Sequence, residues 1–156
     1  MSRTKSGKSR TLQQQAVTPL IGALLRLPHE VVLVRMLETI NANGFDITQT
    51  ELAVFLYPGP EGRRPIDIAR QCNMTRQAMN YVLAGLENRG YILREAGPSA
   101  AARAVRLTDR GWALIALIRK CVDEIEKEWA AHLGAQRFMA LQETLLDLAI
   151  WLGKLD

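Results

Sequence analysis

The chain has 156 residues, 48% of them hydrophobic and 23% charged, with a formal net charge of +4. That length and apolar share exclude a disordered or fibrous protein and suit one domain, or a compact two-part domain, with a substantial core. An aromatic share of only 6% points to a mainly α protein cored by Leu, Ile, Val, Ala and Met, and two cysteines are too few for a disulfide framework.

The first ten residues, MSRTKSGKSR, carry Arg3, Lys5, Lys8 and Arg10 without an acid. No apolar signal core follows them, so residues 1–11 read as a basic disordered tail and the expected location is the cytoplasm. TLQQQAVTPLIGALL and HEVVLVRMLETINANG read as two helices separated near Pro28, with Gly44 as a left-handed cap. The most apolar stretch, Leu20 to Leu37, contains Arg26, Pro28, His29, Glu30 and Arg35, so no membrane span is expected. Thr48-Gln49-Thr50-Glu51 matches a capping box and opens a short helix to about Leu56. The turn-rich YPGPEGRRP then leads into a helix from Ile66 to Cys72, with Pro65 tolerated in its first turn.

Asn73 can take the left-handed conformation of a tight helix-to-helix turn, and Thr75 can cap the next helix. In that helix Met74, Ala78, Met79, Val82, Leu83 and Leu86 share one face, while Arg76, Gln77, Asn80, Ala84 and Glu87 occupy the other. This is a helix-turn-helix, closed by Gly90, whose second helix offers a polar face to a groove. The β-prone runs Tyr91 to Arg94 and Ala104 to Leu107 flank EAGPSAAAR as a hairpin, the wing of a winged helix. Thr108 caps a long helix to about His132, whose Ile115, Ile118, Val122, Ile125 and Trp129 form a three-four stripe. Beyond Gly134, Phe138, Leu141, Leu145, Leu148 and Leu152 form a second stripe. A compact winged helix cannot bury both, so the terminal helices are expected to pair two chains about a twofold axis. The expected fold is thus mainly α with a small β-hairpin wing. Dimerisation helices at 12–45 and 109–156 flank a winged helix-turn-helix at 46–108.

Residues 61–110 hold nine Arg against five acids, a net of +4 inside a chain that is acidic outside this segment and the tail. Such a segment suits an anion such as nucleic acid. Cys72 and Cys121 read as reduced core thiols, with only Arg70 and Arg76 near Cys72 to hint at redox chemistry. Asn73-Met74-Thr75 matches a glycosylation sequon inside the helix-turn-helix, where it reads as a chance match. His29 and His132 have no acidic or thiol partner at metal-ligand spacing, and no phosphate-cradling Gly loop or nucleophile elbow is present. The sequence therefore implies no enzyme, catalytic residue, metal or cofactor.

TQTELAVF, DIARQCNMTRQAMNYVLAGLENRGYILR and VRLTDRG occur in an order and spacing that resemble the MarR family of multiple-antibiotic-resistance regulators. The resemblance implies a homodimeric transcription regulator, a repressor, with its two recognition helices in successive major grooves of a palindromic operator in double-stranded DNA. Carried over by position, Thr75, Arg76, Gln77, Asn80 and Tyr81 form the groove-facing set, and Arg70, Arg89, Arg94 and Arg103 are the phosphate or wing contacts. It also implies release by a small aromatic ligand in a cleft near His29, Tyr91, Trp112 and Trp129. Ser99, Ala100 and Ala101 stand where the family usually has an Asp and one or two Arg, which leaves Arg103 as the nearest substitute in the wing. The Ala-rich wing keeps open an alternative, a winged-helix dimer that captures a partner protein without reading DNA.

Overall fold

A computed structural model describes residues 19–95, 97 and 104–155. The basic tail and the wing tip, with Ser99, Ala100, Ala101 and Arg103, lie outside the described residues. The chain divides into two compact units, Met1–Val34 and Arg35–Asp156.

The described part of the first unit is Pro19, Leu20 and the beginning of helix α1, Ile21–Ala42. Here the sequence expectation needs correction: there is no break near Pro28, which lies inside one helix of 22 residues. Proline's missing N–H leaves the Leu24 carbonyl without its usual helical donor, in a stretch where Leu24, Leu25 and Leu27 are exposed. Leu20, Ile21, Leu24, Leu25, Leu27, Val31 and Val34 are all exposed.

The second unit takes up the rest of α1 and continues with α2 (Gln49–Phe55), α3 (Pro65–Gln71), α4 (Arg76–Asn88), β1 (Ile92–Arg94), β2 (Val105–Leu107), α5 (Asp109–Leu133) and α6 (Ala135–Trp151). β1 and β2 pair antiparallel, Ile92 opposite Leu107 and Arg94 opposite Val105. A bridge from Arg63 to Val105 adds the segment before α3 to the sheet. The core is made by Leu52, Phe55, Ile68, Met79, Leu83, Leu86, Tyr91, Ile92, Val105 and Leu114, each at most 4% exposed. On α5 the buried line is Leu114, Ile118, Cys121 and Ile125, which shares Ile118 and Ile125 with the expected stripe, while Ile115, Val122 and Trp129 are half-buried. α5 is tied to the second half of α1 by the Arg35–Glu128 ion pair, 2.5 Å, and by Thr39 Oγ1 beside Cys121 Sγ at 3.5 Å. On α6 Phe138 is buried, while Leu141, Leu145, Leu146, Leu148 and Trp151 are exposed.

Local rules explain how the helix-turn-helix closes. Thr48 accepts from Glu51 N–H, and the Glu51 carboxylate accepts from Thr48 N–H, a complete capping box. Pro65 opens α3. Asn73 has φ +52, the left-handed turn between α3 and α4, and Thr75 Oγ1 accepts from Ala78 N–H to cap α4. Thr108 caps α5 through Gly111 N–H and also donates to the Gly90 carbonyl. At Gly111 a Cβ would sit 2.2 Å from the Tyr91 carbonyl oxygen and 2.8 Å from Leu107, so only glycine lets α5 start this close to the sheet. Among the described residues no helix is long and apolar enough to cross a membrane.

Candidate nucleic-acid interface

α4 buries Met79, Val82, Leu83 and Leu86 against the core, which fixes what its other face must present. Thr75, Arg76, Gln77, Asn80 and Tyr81 are all exposed, Tyr81 to 83%. An aromatic ring this bare on a well-packed helix stands apart from the core, available for contact. Among the described residues Arg76 has no ion-pair or hydrogen-bond partner, so its guanidinium is unengaged.

Along this face runs a groove of about 980 Å³, lined on one side by Gln77, Tyr81, Ala84, Gly85 and Asn88 and on the other by Thr48, Thr50 and Glu51 at the start of α2. The sequence reading missed Asn88, which lies one and two turns beyond Ala84 and Tyr81 on the same exposed side. Its signal was present in the spacing 77, 81, 84, 88. The small residues Ala84 and Gly85 keep the middle of the groove shallow.

The basic segment is much less free than its net charge suggests. Arg64 pairs with Asp67 at 2.7 Å, Arg106 with Glu61 at 3.1 Å and Glu95 at 3.2 Å, and Arg94 with Glu87 at 2.5 Å. Arg63 is bonded to the Gln71 side chain, which also donates to the carbonyls of Leu56 and Tyr57. The two acids on this side of the unit are correspondingly easy to ionise. The Arg94 hydrogen bond holds the Glu87 carboxyl below the usual range against its partial burial. The Arg64 hydrogen bond does the same for Asp67.

Of the residues expected at phosphates, Arg70 is 74% exposed with only a 3.4 Å contact to Asp67, and can swing outward. Arg94 is paired with an acid. Its backbone N–H and its Nε both donate to Glu87, at 3.0 and 2.7 Å, joining the last turn of α4 to β1. Arg89 is likewise engaged, by Glu51 and by the Asp46 and Gly85 carbonyls. Arg103 lies outside the described residues.

The four residues expected around a ligand cleft are described unit by unit. His29 is exposed in the first unit. Tyr91 is fully buried in the second, its ring 6.3 Å from both Phe45 and Phe55, its hydroxyl accepting from Asp46 N–H at 3.1 Å and from Arg110 at 3.3 Å. Trp112 is half exposed, on a hollow of about 370 Å³ with Ile115, Arg119 and Lys120. Trp129 is half-buried farther along α5. A second hollow, about 290 Å³, lies between the Phe55 to Gly59 segment and Ile115, Ile118, Arg119, Val122 and Asp123 of α5. Burial pushes the Cys72 thiol up, with Arg63 pulling the other way, so this sulfur stays a thiol. Its Sγ contacts the Ala53 carbonyl at 3.5 Å, a packing role. Among the described residues no His, Cys, Asp and Glu are grouped to hold a metal.

No family model matches the chain, and no curated protein matches its sequence. Its structure is similar to many solved ones. The transcriptional repressor CouR bound to a 23-mer DNA duplex matches with a TM-score of 0.63 and 26% identity, over 95% of this chain and 99% of that one. A Mycobacterium tuberculosis MarR family protein, Rv2887, in complex with salicylic acid matches with a TM-score of 0.62 and 27% identity, over 85% and 98%. CouR bound to p-coumaroyl-CoA matches with a TM-score of 0.61 and 25% identity, over 94% and 98%. At this level of similarity the chain, mainly α with a small two-stranded wing, shares the winged-helix fold of MarR-type transcriptional regulators.

Proposed function

We propose that the protein is a sequence-specific DNA-binding transcriptional repressor that works as a homodimer on a roughly palindromic operator. The observation that carries this is the outward face of α4: Arg76, Gln77, Asn80 and Tyr81 stand exposed on a helix whose other side is fully packed. Arg and Gln match the bidentate edges of guanine and adenine, Asn80 matches adenine, and Tyr81 can rest on a thymine methyl or hold a phosphate. The CouR complex with DNA supports the reading.

The homodimer is supported by the apolar residues that α6 exposes, from Met139 to Trp151, and separately by those that the start of α1 exposes. Two copies pairing through such faces would carry their α4 helices to successive major grooves. Release by a small aromatic ligand is supported by the salicylic acid complex of one similar protein, and a second similar protein binds p-coumaroyl-CoA, a larger, charged thioester with an aromatic acyl group. In this chain the two hollows that share Ile115, Arg119 and Asp123 of α5 offer apolar walls and the Arg119 guanidinium, which has no ion pair among the described residues. A ligand there would act by changing how α5 carries the winged unit, and so the distance between the two α4 helices.

The test is fluorescence anisotropy with the protein's own upstream intergenic DNA beside a scrambled duplex of equal composition, over a salt series. A preference of several kcal/mol that survives physiological salt is expected. Equal, weak and steeply salt-dependent binding to both would defeat the reading and favour capture of a protein partner.

A further inference from the structure

Arg89 is the residue whose position conflicts most with a role at phosphates. It is the C-terminal cap of α4, and all three nitrogens of its guanidinium are engaged within the protein, with the exposed Asp46 carboxylate 3.7 Å from Nη1 as well. Nε donates to the Gly85 carbonyl at 3.1 Å, Nη1 to the Asp46 carbonyl at 2.5 Å, and Nη2 to the Glu51 carboxylate. The guanidinium carbon also stands 5.8 Å from the Tyr91 ring centre. Glu51 is only 13% exposed at its side chain, and its second oxygen accepts from Thr48 N–H at 2.9 Å. One carboxylate therefore closes the start of α2 and holds the end of α4, at the wall of the groove along the reading face.

We infer that Arg89 is a positioning residue, which with Glu51 sets the angle of α4 against α2, and is not a phosphate contact. The inference rests on the DNA-reading function proposed above. A planar fork bonded at three points resists rotation in a way that apolar packing alone does not. Arg76, Gln77 and Asn80 can meet their base edges together only if the helix keeps one angle, so loosening the fork should reduce sequence preference more than general DNA affinity.

Glu51→Gln separates the two roles, because Gln at this position still serves the capping box while the charge that holds Arg89 is gone. Anisotropy with the upstream and scrambled duplexes would be measured for wild type, Glu51→Gln, Arg89→Gln and the double variant, well below their melting temperatures. Amide hydrogen exchange would be followed over Ala84 to Arg89 without DNA. The expected result is a roughly tenfold loss of preference in each single variant, with no further loss in the double. The salt slope on scrambled DNA should stay unchanged and exchange in α4 should be faster. A phosphate role would show otherwise: Arg89→Gln would weaken both duplexes equally and flatten the salt slope by about one, while Glu51→Gln would leave the preference intact. That pattern, or unchanged exchange in folded variants, overturns the inference. If wild type does not distinguish the duplexes, the functional reading fails, and exchange alone decides whether the pair holds α4 in place.

Discussion

A guanidinium with no carboxylate near it can turn to a base edge without first breaking an ion pair. Arg76 is in that state among the described residues, whereas Arg64, Arg89, Arg94 and Arg106 must each leave an acid. Arg76→Ala should therefore weaken operator binding by about 1 to 3 kcal/mol and relax preference at one base pair, read by anisotropy on single-substitution duplexes. Gly111 poses the opposite problem, since any side chain there meets the Tyr91 carbonyl. Gly111→Ala should cost about 2 kcal/mol in urea unfolding, because backbone on both sides has to shift. The exposed face of α4 was legible in the sequence because the helix is strongly two-faced, its polar positions following from Met79, Val82, Leu83 and Leu86. The roles of Tyr91, Arg89 and Arg94 were not. A tyrosine between two arginines looks the same in sequence whether its hydroxyl meets a ligand or Asp46 N–H, and only the fold brings residues 46 and 51 to residue 89.

Among the elements, α2 is seven residues long and depends on its cap. Burial pushes the Glu51 carboxyl up, but the hydrogen bonds from Thr48 and Arg89 outweigh it and hold the group below the usual glutamate range. A depressed folded value means that the charged form contributes stability above the unfolded value and that this contribution is lost as pH falls through the folded one. Thermal melts from about pH 6 down to pH 3 should thus show wild type losing stability more steeply than Glu51→Gln, with Glu87 and Asp67 giving both proteins a shared remaining slope. Short-range signals made these elements readable: the capping box, Pro65, Asn73, Thr75 and Gly90 each act within a few residues of themselves. Pro28 misled because the ring removes one helical hydrogen bond, and in the exposed first half of α1 that loss does not end the helix. On α5 Ile118 and Ile125 of the expected stripe are buried within the chain, beside Leu114 and Cys121, which the stripe did not include, Cys121 being a small apolar residue that does not stand out beside Val122.

At the scale of the whole molecule, α6 exposes Leu141, Leu145, Leu148 and Trp151, more apolar surface than a monomer comfortably carries in water. If that face pairs two copies, the double variant Leu145→Glu and Leu148→Glu should sediment as a folded monomer and lose most of its operator affinity, because one α4 then binds alone. A monomeric wild type in the same ultracentrifuge run would remove the twofold arrangement. The sequence pointed to this face through its stripes, yet the pairing itself depends on a second chain and cannot be written in local spacing. The measurement that tests the account most directly is methylation interference at guanine N7 on the upstream DNA, for wild type and Arg76→Ala. The account predicts two clusters of interfering guanines related by a twofold and about one helical turn apart, with the same guanine in each cluster losing its effect in Arg76→Ala. Interference at a single cluster, or a pattern that Arg76→Ala leaves unchanged, would contradict a dimer that reads its operator through the exposed face of α4.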